Sequence, residues 1–231
     1  MSEIILIETS TSLCSAAIER DGEIISRRES TVPRSHASLT AVFIREMLDE
    51  LGLKVSDCDA VCLSSGPGSY TGLRVGSSTA KGLCFGAGIP LISVGTLDLL
   101  AFQAIKENLL PRGCKAIVPM IDARRMEVYS AVYDTGGNRL SEVAPVIVDG
   151  NSFHELLSDS PVLFIGDGAL KCKDVLGSNP NAVFAQAFPN ASAMAELAER
   201  AFKEKRFENT AYFEPFYLKE FVATVSRKKL F

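Results

Sequence analysis

Histidine is scarce in this chain: His36 and His154 are the only two among 231 residues. No His-x-x-x-His pair is present, and the two histidines fall in different halves of the pattern. Metal-assisted hydrolysis and a base-activated nucleophile therefore both lack their parts. The six cysteines, at 14, 58, 62, 84, 114 and 172, form no Cys-x-x-Cys pair, so neither a zinc site nor a disulfide framework follows from their spacing. Most lie in apolar runs, the pattern of buried free thiols in a reducing cytoplasm. Basic charge is also in short supply. Lys and Arg number 24 against 28 Asp and Glu, a net charge of −4, which argues against an autonomous nucleic-acid binder. The one dense basic run, Arg227-Lys228-Lys229, reads as a solvated end. No long apolar run exists. The best stretch, Leu83 to Phe102, is broken by Pro90, Asp98 and glycines, short of the roughly 18 residues a membrane span needs. The start, Met1-Ser2-Glu3-Ile4, lacks the basic-then-apolar layout of a secretion signal.

Apolar material is nonetheless ample: 47% of residues are hydrophobic and 23% charged, enough to oppose chain entropy in a folded core. Short strands read at Ile4–Glu8, Leu13–Arg20 and Glu23–Glu29, the last two joined by the hairpin signal Asp21-Gly22. A helix spans about Ala37–Leu51 and stops at Gly52. The strand Ala60–Ser64, a helix to about Phe85, the strand Leu91–Val94 and the helix Thr96–Lys106 follow. After Leu109-Leu110-Pro111-Arg112-Gly113 the order restarts. Strands read at Lys115–Ile121, Glu127–Tyr133 and Arg139–Val148, then a short helix near Phe153–Leu157, the strand Val162–Ile165 and the helix Ala191–Lys205. Strand-strand-strand-helix-strand-helix thus occurs twice. This predicts an α/β chain of two ribonuclease-H-like lobes, the duplicated actin-like architecture of the ASKHA superfamily. The rival, a single Rossmann sheet, would alternate strand and helix from its start. The expected organisation is one lobe over 1–108, a second over 109–210, and a tail, 211–231, packing back on the first.

Two segments would face phosphates in such a cleft: Glu8-Thr9-Ser10-Thr11-Ser12 and Asp122-Ala123-Arg124-Arg125. Glu8 and Asp122 could hold a hydrated magnesium ion, and Thr9 and Ser10 could donate to phosphate oxygens. Equally, both carboxylates could simply orient their turns, since neither segment holds the glycine that close phosphate cradling needs. Gly66-Pro67-Gly68-Ser69-Tyr70-Thr71-Gly72 is neither a Walker loop nor a dinucleotide fingerprint. It reads first as a tight strand-to-helix turn and second as an anion site capped by Ser69 or Thr71. Arg74 sits in the helix's first turn, where the dipole disfavours a cation unless an acidic partner or an anion is nearby. The helix itself carries only Arg74 and Lys81 as charges, with Gly76, Ser77 and Ala80 permitting close approach. On the first long helix Ala41, Ile44, Met47, Leu48 and Leu51 form a core stripe, while Leu39, Val42 and Phe43 form a second apolar patch. Two such helices suggest burial against a partner subunit. His36 reads as a helix-start or interface residue and His154 as solvent-facing.

The runs Ile7-Glu8-Thr9-Ser10, Ser35-His36-Ala37, Ser65 to Arg74 (Ser-Gly-Pro-Gly-Ser-Tyr-Thr-Gly-Leu-Arg), Asp122 to Tyr129 and Pro215-Phe216-Tyr217-Leu218-Lys219 resemble the TsaB family, also called YeaZ, over nearly the whole chain. The resemblance implies an actin-like cytoplasmic protein of tRNA threonylcarbamoyladenosine biosynthesis. It would act as the non-catalytic partner and activator of TsaD, which transfers threonylcarbamoyl to the adenosine beside the anticodon. The small ATPase TsaE would join them, tRNA would be met through the complex only, and the chain alone would pair as a homodimer. The implied heterodimer contact is a helical bundle from Ala37–Leu51 and Leu73–Phe85, with Leu39, Phe43, Met47, Leu73, Ser77 and Ala80 in the bundle and His36, Tyr70 and Arg74 at its rim. The transferase relative carries metal-binding histidines after the strand matching Leu91–Val94. Here Gly95-Thr96-Leu97-Asp98-Leu99-Leu100 has none, so no catalytic residue, metal or cofactor of its own is expected, with ATP or ADP and magnesium confined to the complex interface. Glu8 stands where the family usually has Asp. The alternatives are a magnesium-dependent ATPase or phosphotransferase using Glu8 and Asp122, and, less favoured, a glycoprotease-like peptidase.

Overall fold

A computed structural model describes residues 1–218; Lys219, the rest of the expected tail and the Arg227-Lys228-Lys229 run lie outside the described residues. The first half opens with β1 (Glu3–Glu8), β2 (Cys14–Arg20) and β3 (Glu23–Ser30), antiparallel neighbours turned at Asp21-Gly22. Both turn residues are left-handed, with φ 52° and 87°, as a two-residue hairpin of this hand requires. Helix α1 (His36–Leu51) ends on Gly52 in the left-handed conformation. Strand β4 (Ala60–Ser64), helix α2 (Tyr70–Ala87), strand β5 (Leu91–Val94) and helix α3 (Thr96–Lys106) complete the half. β4 pairs in parallel with β1 and β5, and all five of its residues are buried, the continuous apolar run that a strand covered on both faces demands.

The second half repeats this plan with β6 (Ala116–Asp122), β7 (Glu127–Ser130), β8 (Ala144–Ile147), β9 (Val162–Ile165), the short helix α4 (Lys173–Leu176) and β10 (Ala182–Ala185). A 3-10 turn over Ala191–Met194 then runs into α5 (Ala195–Lys203). The sheet orders are β3-β2-β1-β4-β5 and β10-β9-β6-β7-β8, the same order when the second is read in reverse. Several details depart from expectation: α4 was not expected, the strand expected over Glu127–Tyr133 ends at Ser130, and the helix expected over Ala191–Lys205 begins as the 3-10 turn and ends at Lys203. Residues 151–157 form turns rather than a helix. The strand expected over Arg139–Val148 shortens to β8, and β10 goes beyond the expected elements because four half-buried residues carry little periodicity.

What joins the lobes is an exchange of helices. Helix α3 lays Leu97, Leu100, Ala101 and Ala104 against Ile117, Ile121, Leu163 and Ile165 of the second sheet. In return, Ala191, Met194, Ala198 and Ala201 pack on Ile4, Leu6, Cys62 and Ile92 of the first sheet. Burying one leucine stabilises by about 1.5–3 kcal/mol, so parting the lobes is costly. Asn190 starts the returning segment, its side-chain oxygen accepting the Ala193 N–H at 2.9 Å. Asn190→Ala is expected to cost about 1 kcal/mol, the worth of one N-cap; a urea midpoint unchanged from wild type would show that this cap does not anchor the exchange.

The opposite face of the first sheet is covered by α1 and α2, whose Ile44, Met47, Leu48, Ala80 and Cys84 meet Ile5, Ile7, Val61 and Leu63. The chain returns here after α5. Phe213 enters the same cluster, Lys81 Nζ donates to the carbonyls of Ala211 (3.0 Å) and Phe213 (3.1 Å), and the Phe216 N–H donates to Ser65 O at 2.7 Å. Among the described residues no helix is long and apolar enough to cross a membrane.

Candidate functional site

The two lobes present matching strand ends to one another. In the first, β1 ends on Glu8 and β4 leads to Gly66; in the second, β6 ends on Asp122 and β9 leads to Gly166-Asp167. Gly66 and Gly166 both have positive φ, 107° and 131°. Glu8 is wholly buried. Its Oε1 accepts the Ser10 N–H, while Oε2 has no partner, nor do the buried hydroxyls of Ser10 and Ser64 that face it. Burial pushes the Glu8 carboxyl up to about 7, and the Asp167 carboxylate across the cleft adds to the rise. Asp167 is itself raised, by burial first and by Asp122 as well, and its Oδ1 accepts the Asp122 N–H at 2.9 Å. Asp122 is occupied otherwise: it is exposed, caps the Arg124 N–H at 2.8 Å and pairs with Lys171.

Asp167 and Lys171 belong to this floor but did not emerge from the sequence. The signal was the fully buried β9 followed at once by Gly166-Asp167-Gly168, the counterpart of Ser64 to Gly66 in the first half.

The glycines of the conspicuous loop serve a different end from phosphate cradling. A Cβ at Gly68, Gly72 or Gly76 would come closer than 3.0 Å to Ser10 O, Thr9 O and Thr9 Oγ1 respectively. Three bare positions let the start of α2 press on the β1–β2 loop. The Ser69 N–H donates to Ser10 O at 2.6 Å, and Ser69 Oγ caps the helix by accepting the Gly72 N–H at 3.2 Å. His36 adds a tie from α1, its Nε2–H donating to Thr11 O at 3.0 Å. In consequence Thr9, Ser10 and Thr11 are only 2%, 1% and 6% exposed. The residues of this loop do not fit a nucleotide: the hydroxyls of Thr9, Ser10 and Thr11 are sealed under α2.

The residues expected at a helical interface divide. Met47, Leu73, Ser77 and Ala80 are buried within the chain itself. Leu39, Phe43, His36 and Tyr70 are half-buried, and Arg74 is exposed. Ala41, expected in the core stripe, faces solvent. The outer face of α2 is instead Thr71, Arg74, Ser78, Gly82 and Phe85, all exposed at helical spacing, with Phe85 88% exposed. The Arg74 guanidinium lies 4.2 Å from the centroid of the Tyr70 ring, an aromatic face rather than the acidic partner or anion expected there. Tyr70 also packs on Tyr217, ring centroids 5.0 Å apart. His154 is exposed on the second lobe.

Two lobes of one topology, each with strand ends turned to a shared floor, define an α/β protein of the actin-like, duplicated ribonuclease-H-like class. The family described as "TsaD: tRNA N6-adenosine threonylcarbamoyltransferase" matches residues 23–227. The chain is 31% identical over 227 residues to the tRNA threonylcarbamoyladenosine biosynthesis protein TsaB of Escherichia coli K12, covering 95% of this chain and 96% of that one. The Bacillus subtilis protein of the same name is 30% identical over 227 residues, covering 94% and 93%. In structure, YeaZ from Pseudomonas aeruginosa superposes with TM-score 0.81 at 26% identity, over 94% of this chain and 100% of that one. The chain belongs to the TsaB (YeaZ) family, within the wider group of TsaD-related proteins.

Proposed function

We propose that this chain is the non-catalytic partner subunit of a TsaD-type transferase in the cytoplasmic threonylcarbamoyl modification of the tRNA adenosine beside the anticodon. Membership in the TsaB family supports the place in that process. The observation that carries the partner role is the outer face of α2. Phe85 stands 88% exposed there, and Gly82 and Gly86 have nothing within 4 Å of an added Cβ. Exposed mid-helix glycine costs roughly 0.5–1 kcal/mol against alanine; bare backbone beside an exposed aromatic suits a second helix packing closely. Leu39 and Phe43 of α1 widen the patch, with Tyr70 and Arg74 at its rim. The same face would hold a second copy when the transferase is absent. The ATPase TsaE would join the pair, and any nucleotide would sit between subunits, since the phosphate-facing loop of this chain is sealed.

Gly82→Leu tests this, because Gly82 is exposed and a Cβ added there meets nothing within 4 Å. The variant is expected to keep the wild-type circular dichroism and to melt no lower than wild type, since a helix glycine is removed, yet to fail to co-elute with the TsaD-type partner. Phe85→Asp is expected to behave alike. Co-elution of both variants at wild-type levels would place the contact elsewhere.

A further inference from the structure

The β6–β7 hairpin holds two arginines in a conformation that does not suit them. Arg124 and Arg125 have φ 71° and 51°, the one consecutive pair of non-glycine residues with positive φ among the described residues. L side chains enter this region at a cost, whereas asparagine and glycine fill it readily. Both arginines are exposed, and neither has an ion-pair partner among the described residues. Of the carboxylates close in sequence, Asp122 is already held by Lys171 and by the Arg124 N–H, and Glu127, half-buried, has interactions of its own. Two exposed arginines outside any ion pair among the described residues thus stand on consecutive positions of a chain whose net charge is −4. Backbone held in so poor a conformation points to a use for its side chains.

We infer that the Arg124–Arg125 turn grips the phosphate backbone of RNA, so that this subunit itself touches the tRNA. The inference rests on the proposed role in tRNA modification, which names the phosphate-rich partner. Planar guanidinium forks match phosphate oxygens two at a time. A free nucleotide fits less well, because the opposing loop is sealed and the carboxyls of Glu8 and Asp167 line the floor behind it. The rim therefore suits an extended polyanion lying across the hairpin. An acidic protein surface would also meet the arginines, and the experiment separates the two.

Binding of an unmodified tRNA transcript is measured by fluorescence anisotropy across a salt series, for the complex with the TsaD-type partner. Two variants are compared, Arg124→Glu/Arg125→Glu and Arg124→Asn/Arg125→Gly. Both are expected to co-elute with the partner as wild type does and to bind RNA at least tenfold more weakly. The slope of log affinity against log salt should flatten by about 1.5, the loss of two phosphate contacts. The Asn/Gly variant should also melt higher than wild type, because its backbone is relieved, so weaker RNA binding cannot be blamed on unfolding. Unchanged affinity and slope with intact co-elution would overturn the inference. So would displacement of the RNA by equimolar ATP, which would make the turn a nucleotide site, or loss of co-elution in both variants, which would make it a protein contact. If wild type itself fails to co-elute, the proposed function falls, and the same titration on the chain alone still decides whether the turn binds RNA.

Discussion

Gly72→Val lowers the stability of the chain by at least about 3 kcal/mol, read as a fall in melting temperature of roughly 10 °C. The cause is local and rigid. Gly72 lies one helical turn before Gly76, and with Gly68 of the preceding loop they form the surface on which the start of α2 meets the loop after β1. The atom a Cβ would strike is the Thr9 carbonyl, with the Ser69 side chain also close. That carbonyl belongs to backbone leaving a strand buried from Ile4 to Glu8, so it cannot swing aside as a long side chain would. Relief would require lifting α2, which would expose Leu73, Ala80 and Cys84. On the same helix Gly82→Ala is expected to do the opposite, raising stability by about 0.5–1 kcal/mol by restricting the unfolded chain. The same substitution class thus has opposite signs three turns apart. A Gly72→Val protein melting within two degrees of wild type would show that the helix start does not press on the loop.

The second large effect is a pH dependence. Burial holds Glu8 near 7, and burial likewise raises Glu19, helped by Glu199 from α5, to about 7. Unfolded, each would titrate near the ordinary 4.5. Between about 4.5 and 7 the folded protein therefore keeps protons that the unfolded chain releases. Stability falls as pH rises through that window and levels off above it. Glu8→Gln removes one of the two titrations. Its amide oxygen can still accept the Ser10 N–H, and no charge faces Asp167. The variant should exceed wild type by about 2 kcal/mol at pH 8, with the gain vanishing by pH 4.5. Urea unfolding at several pH values reads this directly. A constant offset at every pH, or a gain only in acid, would refute the assignment of Glu8 as the buried titrating group.

Much of this was legible in the sequence, for identifiable reasons. Asp21-Gly22 fixed the first hairpin because few dipeptides accept two left-handed residues. The boundaries of β4, β5, β9 and α3 were readable because short apolar runs ended in glycine, proline or polar residues. The pairing of helices with sheets was not. Periodicity says that α3 buries Leu97, Leu100 and Ala104, but it does not say which lobe's sheet receives them, and the exchange with α5 depends on long-range packing. The same limit explains Leu73, Ser77 and Ala80. An almost uncharged helix has to bury one stripe, yet only the fold shows that this stripe meets its own sheet and that Ser78, Gly82 and Phe85 are left outside. A charged residue at Ser77 would therefore unfold the chain rather than probe an interface. At the floor, Glu8 and Asp122 were found as strand-end carboxylates. Asp167 was not, because the strand before it has only four residues and its neighbours, Asp122 in β6 and Glu8 in the other lobe, are brought to it by long-range packing.

The most direct test of the partner role is reconstitution. Threonylcarbamoyladenosine formed on tRNA is measured with the purified TsaD-type transferase and its accessory components, with wild-type chain, with Gly82→Leu, and with the chain omitted. The account predicts full modification only with wild type, and background levels both on omission and with Gly82→Leu, although that variant stays folded. Modification that proceeds equally well without the chain would contradict it.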